Sequence, residues 1–206
     1  MATGRDPVQD ERESLCLPGG CLMTSVLVLY MSQGGHTARI ARRICASIAA
    51  AGGSAEMMDL TEAVREGVDW QAYDVVALGA PVLYGTYHAT VFDFIKAHQD
   101  KLETKPSAFF NVSVVARTPE KATVEGNRYM QKFLELSPWK PKDLKVFAGK
   151  VDYPNWGWLD TLAIQMIMKF TKGPTDKSTV IDYTNWDDVA AYGRHLLTLA
   201  APEPQA

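Results

Sequence analysis

The sequence predicts an α/β domain built on a doubly wound, five-stranded parallel sheet in the order 2-1-3-4-5. Two observations predict it. Continuous apolar runs such as Ser25 to Tyr30 (SVLVLY) and Asp74 to Val82 (DVVALGAPV) have the composition of strands buried on both faces. Segments with helical periodicity lie between such runs, so strand and helix alternate along the chain.

Ser25 to Tyr30 is the first strand, and a helix follows to about Ala51. In that helix Ile40, Ile44 and Ile48 recur every four residues, Arg39, Arg42 and Arg43 take the other side, and Gly52-Gly53 ends it. Ala55 to Leu60 is a short second strand and Asp74 to Val82 the third. A helix over Ala89 to Leu102 directs Val91, Phe92, Ile95 and Leu102 to the core. Ser107 to Ala116 is a strand, Val124 to Leu136 a helix and Leu144 to Val151 the fifth strand. Trp186 to Ala200 closes the domain as a helix, with Thr184 and Asp187 at capping-box spacing. Between Asp152 and Thr179 an insertion breaks the rhythm, and strand five resumes at Thr179 to Tyr183.

Residues 1–24 read as a disordered extension, 25–200 as one domain with an insertion at 152–178, and 201–206 as a tail. Met23 is an alternative start to Met1. A chain of 206 residues buries one α/β core. The net charge of −3 gives no reason to expect nucleic acid as a partner. Cys16, Cys21 and Cys45 are too few for a disulfide framework. Cys16 and Cys21 have no second Cys/His pair nearby, and His36, His98 and His195 are scattered, so no metal site is expected. The first 24 positions carry Asp6, Asp10, Glu11 and Glu13 and no apolar stretch of signal-peptide length, so they do not read as a secretory signal, and the acidic residues disfavour a mitochondrial presequence.

Three loops emerge at one edge of the predicted sheet, at the carboxyl ends of its strands. Ser32, Gln33, Gly34, Gly35, His36 and Thr37 join strand one to its helix. The glycines let backbone N–H groups converge, the helix N-terminus favours an anion, and two hydroxyls add donors. Neither a P-loop lysine nor a G-x-G-x-x-G pattern is present, so neutral donors would hold a monophosphate. An ordinary glycine-containing turn is the plainer alternative. Strand three runs out through Ala80, Pro81, Val82, Leu83, Tyr84 and Gly85 toward Tyr87 and His88, a loop suited to lying against a planar ring. Strand four supplies a third wall through Asn111, Val112, Ser113, Val114, Ala116 and Arg117. One phosphate loop and two ring walls describe an FMN site. Tyr87 can equally cap the sheet, and His88 is read as a cap or surface residue.

Within the insertion, Trp158 to Phe170 places Thr161, Gln165 and Lys169 on one side of a helical wheel. Leu159, Leu162, Ala163, Met166, Ile167 and Phe170 fall on the other. At ~1.5 Å per residue such a helix is too short to cross a hydrocarbon core of roughly 30 Å. It suits a membrane interface, with Trp156 and Trp158 at headgroup depth, or a packed core helix.

The segments LYMSQGGHTARIA, GAPVLYGTYH, KPSAFFNVSVVARTPEK, GKVDYPNW and MIMKFTKGPTD resemble those of the menaquinone-dependent protoporphyrinogen IX dehydrogenases. The resemblance spans Ser25 to Leu199. It implies a long-chain flavodoxin-like fold, FMN as cofactor, and oxidation of protoporphyrinogen IX to protoporphyrin IX in heme biosynthesis. It also implies that the electrons pass to menaquinone or ubiquinone. Six hydrogens leave the substrate, and the chemistry belongs to the flavin, so no catalytic side chain is assigned. The resemblance further implies a peripheral membrane protein on the cytoplasmic face, or on the mitochondrial inner membrane in a eukaryote, docked through the 152–178 insertion. A homo-oligomer is compatible with it. An NAD(P)H-dependent quinone reductase and a flavodoxin electron carrier are the competing readings. The modest net charge and the apolar insertion speak against the carrier.

Overall fold

The computed structural model describes residues 23–152 and 180–200. The readings of residues 1–22, 153–179 and 201–206 lie outside the described residues.

Five strands form one parallel sheet: β1 (Ser25–Tyr30), β2 (Ser54–Asp59), β3 (Val75–Pro81), β4 (Ser107–Ser113) and β5 (Asp143–Ala148). Their order is β2-β1-β3-β4-β5. β1 and β3 are buried because both faces are covered. Leu27, Leu29, Val76, Leu78 and Phe109 point to one side, and Val26, Val28, Val75, Ala77 and Phe110 to the other. The first side packs against helices α2 (Leu60–Glu66), α3 (Ala89–Ala97), α4 (Gln99–Thr104) and α5 (Arg128–Leu136). There Phe109 and Phe133 stack with centroids 3.7 Å apart. The second side packs against α1 (His36–Ala50) and α6 (Trp186–Thr198), through Ile40, Ile44, Ile48, Val189, Tyr192 and Leu196.

Register levels the carboxyl ends of the strands. Tyr30 pairs with Gly79, Pro81 with Val112 and Ser113 with Ala148. Single bonds carry the ladder past the strand ends: Met31 N–H to Gly79 O at 2.9 Å, Val82 N–H to Val112 O at 2.9 Å, and Gly149 N–H to Ser113 O at 3.1 Å. The loops after β1, β3 and β4 therefore leave one edge at a common level.

Four elements differ from the sequence expectation. The helix over 89–102 is two helices, α3 and α4, because His98 leaves helical dihedrals (φ −125°, ψ 24°). Its ring packs 4.5 Å from Phe94 and 5.2 Å from Trp70, which anchors the break. The helix expected from Val124 starts only at Arg128, where Asn127 accepts from the N–H groups of Tyr129 and Met130. β4 ends at Ser113, and Val114–Arg117 forms a single 3-10 turn. α2 was not anticipated; Asp59 caps it through Thr61 N–H, and Leu60 and Ala63 bury its face.

The return from the insertion also takes its own form. β7 (Val180–Asp182) does not rejoin the parallel sheet, but pairs antiparallel with β6 (Lys150–Asp152) in a separate two-stranded ladder. Gly149, bonded back to Ser113, separates β6 from β5. The cap of α6 is Asn185, accepting from Asp187 and Asp188 N–H, rather than Thr184. The Thr184 hydroxyl is engaged elsewhere, donating to Ala148 O at 2.8 Å.

Candidate functional site

A cleft of about 380 Å³ opens at the carboxyl ends of β1, β3 and β4, where the strand order reverses. Ser32, Gln33, Gly34, His36 and Thr37 form one wall, and Pro81, Val82, Leu83 and Tyr84 a second. Val112 and Val114 lie between them, and Arg39, Gly149, Lys150 and Asp152 complete the lining.

The first wall is a donor-rich turn. Gly35 takes φ 76° and stands as the N-cap of α1 with no side-chain cap bond. By contrast, α2, α3, α5 and α6 are each capped by a side chain, Asp59, His88, Asn127 and Asn185, and only the short α4 shares the lack of one among the described α-helices. Apart from Ala38 N–H, which meets Ser32, the first N–H groups of α1 are thus left for an acceptor from outside the helix. A Cβ built on Gly34 or Gly35 meets nothing within 4 Å, so there is open space beside this turn. The Ser32 hydroxyl accepts from Ala38 N–H at 3.4 Å, and Thr37 is 2% exposed at the floor.

The second wall is a two-residue hairpin. Leu83 and Thr86 exchange both backbone bonds, 2.8 Å and 3.0 Å, around Tyr84 and Gly85. Both central residues have positive φ, 50° and 79°, the signature of a mirror-image tight turn. Gly85 adopts this conformation without strain. Tyr84 is the positive-φ residue other than glycine among the described residues, and it is 56% exposed. The turn holds an aromatic face outward at the cleft mouth.

Of the stretch from Asn111 to Arg117, Val112 and Val114 line the cleft. Asn111 is fully buried and donates to the Tyr87 hydroxyl and to Asn127 Oδ1. Ser113 accepts from Asn127 Nδ2 at 3.3 Å. Ala80 and Ala116 lie in the hydrophobic core, and Arg117 donates to Val114 O at 3.3 Å. Alternation explains why Val112 parts from Asn111 and Ser113, since on β4 successive side chains face opposite sides. Tyr87 is 4% exposed and belongs to the core, and burial pushes its phenol pKa up. His88 caps α3 by accepting from Thr90 N–H at 3.3 Å.

Of the polar rim, the sequence reading included His36 and missed Arg39, Lys150 and Asp152. Arg39 lies 3.7 Å from Asp182, with its guanidinium 4.9 Å over Trp186. Lys150 pairs with Asp152 at 2.6 Å. His36 Nε2 lies 2.8 Å from Thr184 Oγ1 and 3.8 Å from Asp182. Burial works against ionisation of Asp182, but donation from Thr184 N–H and Trp186 Nε1 and the neighbouring His36 favour the carboxylate, and its pKa is lowered. The signal for this rim was the helical spacing of His36 and Arg39. Its partners, however, arrive from beyond the insertion.

An anion cradle at a helix start, facing an aromatic-tipped hairpin across the reversal point of a 2-1-3-4-5 sheet, defines a flavodoxin-type nucleotide-binding domain. The chain belongs to the flavodoxin domain family, whose model matches residues 27–178. It is 37% identical over 173 residues to the protoporphyrinogen IX dehydrogenase (quinone) of Escherichia coli strain K12, covering 84% of this chain and 94% of that protein. It is 35% identical over 185 residues to the Leishmania major protein of the same name, covering 87% of this chain and 79% of that one. Among solved structures, flavodoxin 1 of Bacillus cereus covers 85% of this chain at 17% identity, with a TM-score of 0.46. The fold assignment rests on the strand order and the family match, not on that last likeness.

Proposed function

We propose that this chain binds FMN in the cleft and oxidises protoporphyrinogen IX to protoporphyrin IX, with a quinone as electron acceptor. The observation that carries the reading is an alignment spanning 94% of a protoporphyrinogen IX dehydrogenase, in a chain whose cleft has a phosphate cradle at one end and a ring platform at the other.

The residues present fit FMN. The uncapped α1 N-terminus, with Thr37 and the Gly34-Gly35 backbone, would hold the phosphate through neutral donors. Tyr84 and Val82 would flank the ring, and Val112 and Val114 would keep that part of the cleft apolar. FMN supplies the two-electron oxidation chemistry when bound. The chain's own part is to orient the ring and limit water around it.

We also propose that the protein acts at a membrane surface through the 152–178 insertion, since a quinone acceptor resides in the bilayer. β6 and β7 flank that insertion and their ladder borders the cleft, with Lys150 and Asp152 in its lining. Docking there would bring the ring site close to the membrane. A peripheral location on the cytoplasmic face, or on the mitochondrial inner membrane in a eukaryote, follows from the same reading. A homo-oligomer is compatible with it.

Anaerobic turnover tests the activity. FMN-loaded protein, given protoporphyrinogen IX and a quinone, should form the porphyrin without NADPH. Failure to do so, together with NADPH-driven quinone reduction, would replace the reading with that of a quinone reductase.

A further inference from the structure

His36 opens α1 and lines the cleft, and the bonding of Thr184 assigns its tautomer. The Thr184 hydroxyl has one proton and donates it to Ala148 O at 2.8 Å. Its oxygen must therefore accept from His36 Nε2, 2.8 Å away. Neutral His36 is the Nε2–H tautomer, and its Nδ1 carries a lone pair. That Nδ1 is buried and has no hydrogen-bond partner. The side chain is only 15% exposed.

The charges around the ring come from every element packed on it. Arg39 is on its own helix α1, Lys150 on β6 and Asp182 on β7, while Trp186 of α6 adds a neutral edge contact at 5.9 Å. Burial is the largest influence and lowers the His36 pKa below 6.5. Asp182 opposes it, and Arg39 and Lys150 reinforce it. Arg39 and Lys150 are already paired with carboxylates, Asp182 and Asp152. Among the described cleft-lining residues, His36 is the side chain whose ordinary titration range adjoins neutrality.

We propose that His36 takes up a proton at Nδ1 when a phosphate monoester, FMN, occupies the Ser32–Thr37 turn. Binding of the cofactor is then proton-linked. The inference rests on the reading that this turn holds the FMN phosphate. A dianion at the start of α1 stabilises an imidazolium on the first residue of that helix. The proton comes from solvent and turns an unpartnered buried acceptor into a donor, while Nε2–H keeps its bond to Thr184. By linkage, FMN affinity rises as pH falls between the free and bound His36 pKa values, by up to about tenfold per pH unit. The phosphate's own second ionisation, near pH ~6, runs in the opposite direction and must be subtracted.

The experiment titrates full-length apoprotein with FMN and with riboflavin, which lacks the phosphate, by calorimetry at neutral pH. Buffers of different ionisation enthalpy give the protons bound. Wild type should take up a substantial fraction of one proton with FMN relative to His36→Gln, and none with riboflavin. Equal uptake in wild type and His36→Gln, with FMN still binding far more tightly than riboflavin, overturns the inference and leaves the phosphate site standing. Equal affinity for FMN and riboflavin in wild type overturns the phosphate site itself, and the inference with it. Should His36→Gln fail to fold, the imidazole proton resonances of wild type decide instead. The inference requires a histidine pKa that rises on FMN binding and does not move with riboflavin, and no such shift overturns it.

Discussion

The Asn111 amide donates to the Tyr87 hydroxyl at 3.1 Å, and that hydroxyl donates onward to Tyr129 O at 3.1 Å. Asn111 donates a second time, to Asn127 Oδ1, which also caps α5. One buried chain of polar groups thus ties β4 to the segment after β3 and to the start of α5. Tyr87→Phe leaves the Tyr129 carbonyl without this donor while keeping the ring in place. Loss of one such buried bond costs about 1–3 kcal/mol. Urea unfolding should show that loss, while FMN affinity changes little because Tyr87 does not line the cleft. An unchanged midpoint with weakened FMN binding would move Tyr87 from the core to the ring site.

Thr37 sits 2% exposed at the floor of the phosphate turn. Thr37→Glu sets a carboxylate against the dianion and fills the space the hydroxyl leaves. Purified variant protein should come without flavin, and its FMN affinity should fall at least a hundredfold. Riboflavin affinity should fall far less, because riboflavin has no phosphate to repel. Tightly bound FMN in the variant would show that the phosphate lies elsewhere.

Much of this was legible in the sequence because it is local. Apolar runs marked the strands, and glycines marked the turns at 34–35 and 85. What was not legible depends on contacts distant in sequence. His98 breaks a helix because Phe94 and Trp70 grip its ring. Asn111 reads like a loop-end polar residue, yet pleating turns it into the core, where Tyr87 and Asn127 satisfy its amide. Arg39 looks like one of three exposed arginines until Asp182 and Trp186 meet it from beyond the insertion. The cap of α6 moved from Thr184 to Asn185 because Ala148 and His36 occupy the Thr184 hydroxyl.

Gly85 has φ 79°, and an added Cβ would have about 3.9 Å of clearance to Tyr129, so space does not forbid a side chain there. Conformation does. A β-branched residue in the left-handed region costs about 1–2 kcal/mol. Gly85→Val should therefore open the Leu83–Thr86 hairpin, withdraw Tyr84 from the cleft mouth and weaken FMN about tenfold, with the fold retained. Gly85→Asn, which tolerates positive φ, should recover most of the affinity. Equal binding by the Val and Asn variants would remove the hairpin from the ring site.

Acid should loosen the contact between α1 and the β7–α6 junction in two stages. The His36 pKa is lowered in the folded protein, so the unfolded chain takes up its proton first, at about 6.5. Stability from this group is full above that pH and is lost as pH falls toward the folded value. The Asp182 pKa is also lowered, so its contribution is full above the ordinary carboxylate value of 3.8 and is lost as pH falls through the folded one. Apoprotein stability should decline below about pH 6.5 and again below about pH 4. Burial lowers the His98 pKa as well, so His36→Gln should reduce the first decline rather than abolish it, and Asp182→Asn should reduce the second. A profile identical to wild type in both variants would mean that other groups govern the acid limb.

The proposed membrane contact can be tested through the sequence pattern of the insertion. Leu162, Met166, Ile167 and Phe170 recur at helical spacing, and Lys169 and Lys172 lie close by in the sequence. An apolar face flanked by cations suits an anionic bilayer surface, where a quinone acceptor would be met. Burying each of the four apolar side chains contributes about 1.5–3 kcal/mol before ordering is subtracted. Met166→Asp combined with Ile167→Asp should therefore abolish flotation with liposomes and lower the rate with a bilayer quinone. FMN content and the rate with a water-soluble acceptor should hold. If the double variant floats like wild type and keeps its quinone rate, the membrane role fails. If it loses FMN and unfolds, those side chains serve the protein's own core, and docking must be sought on another surface.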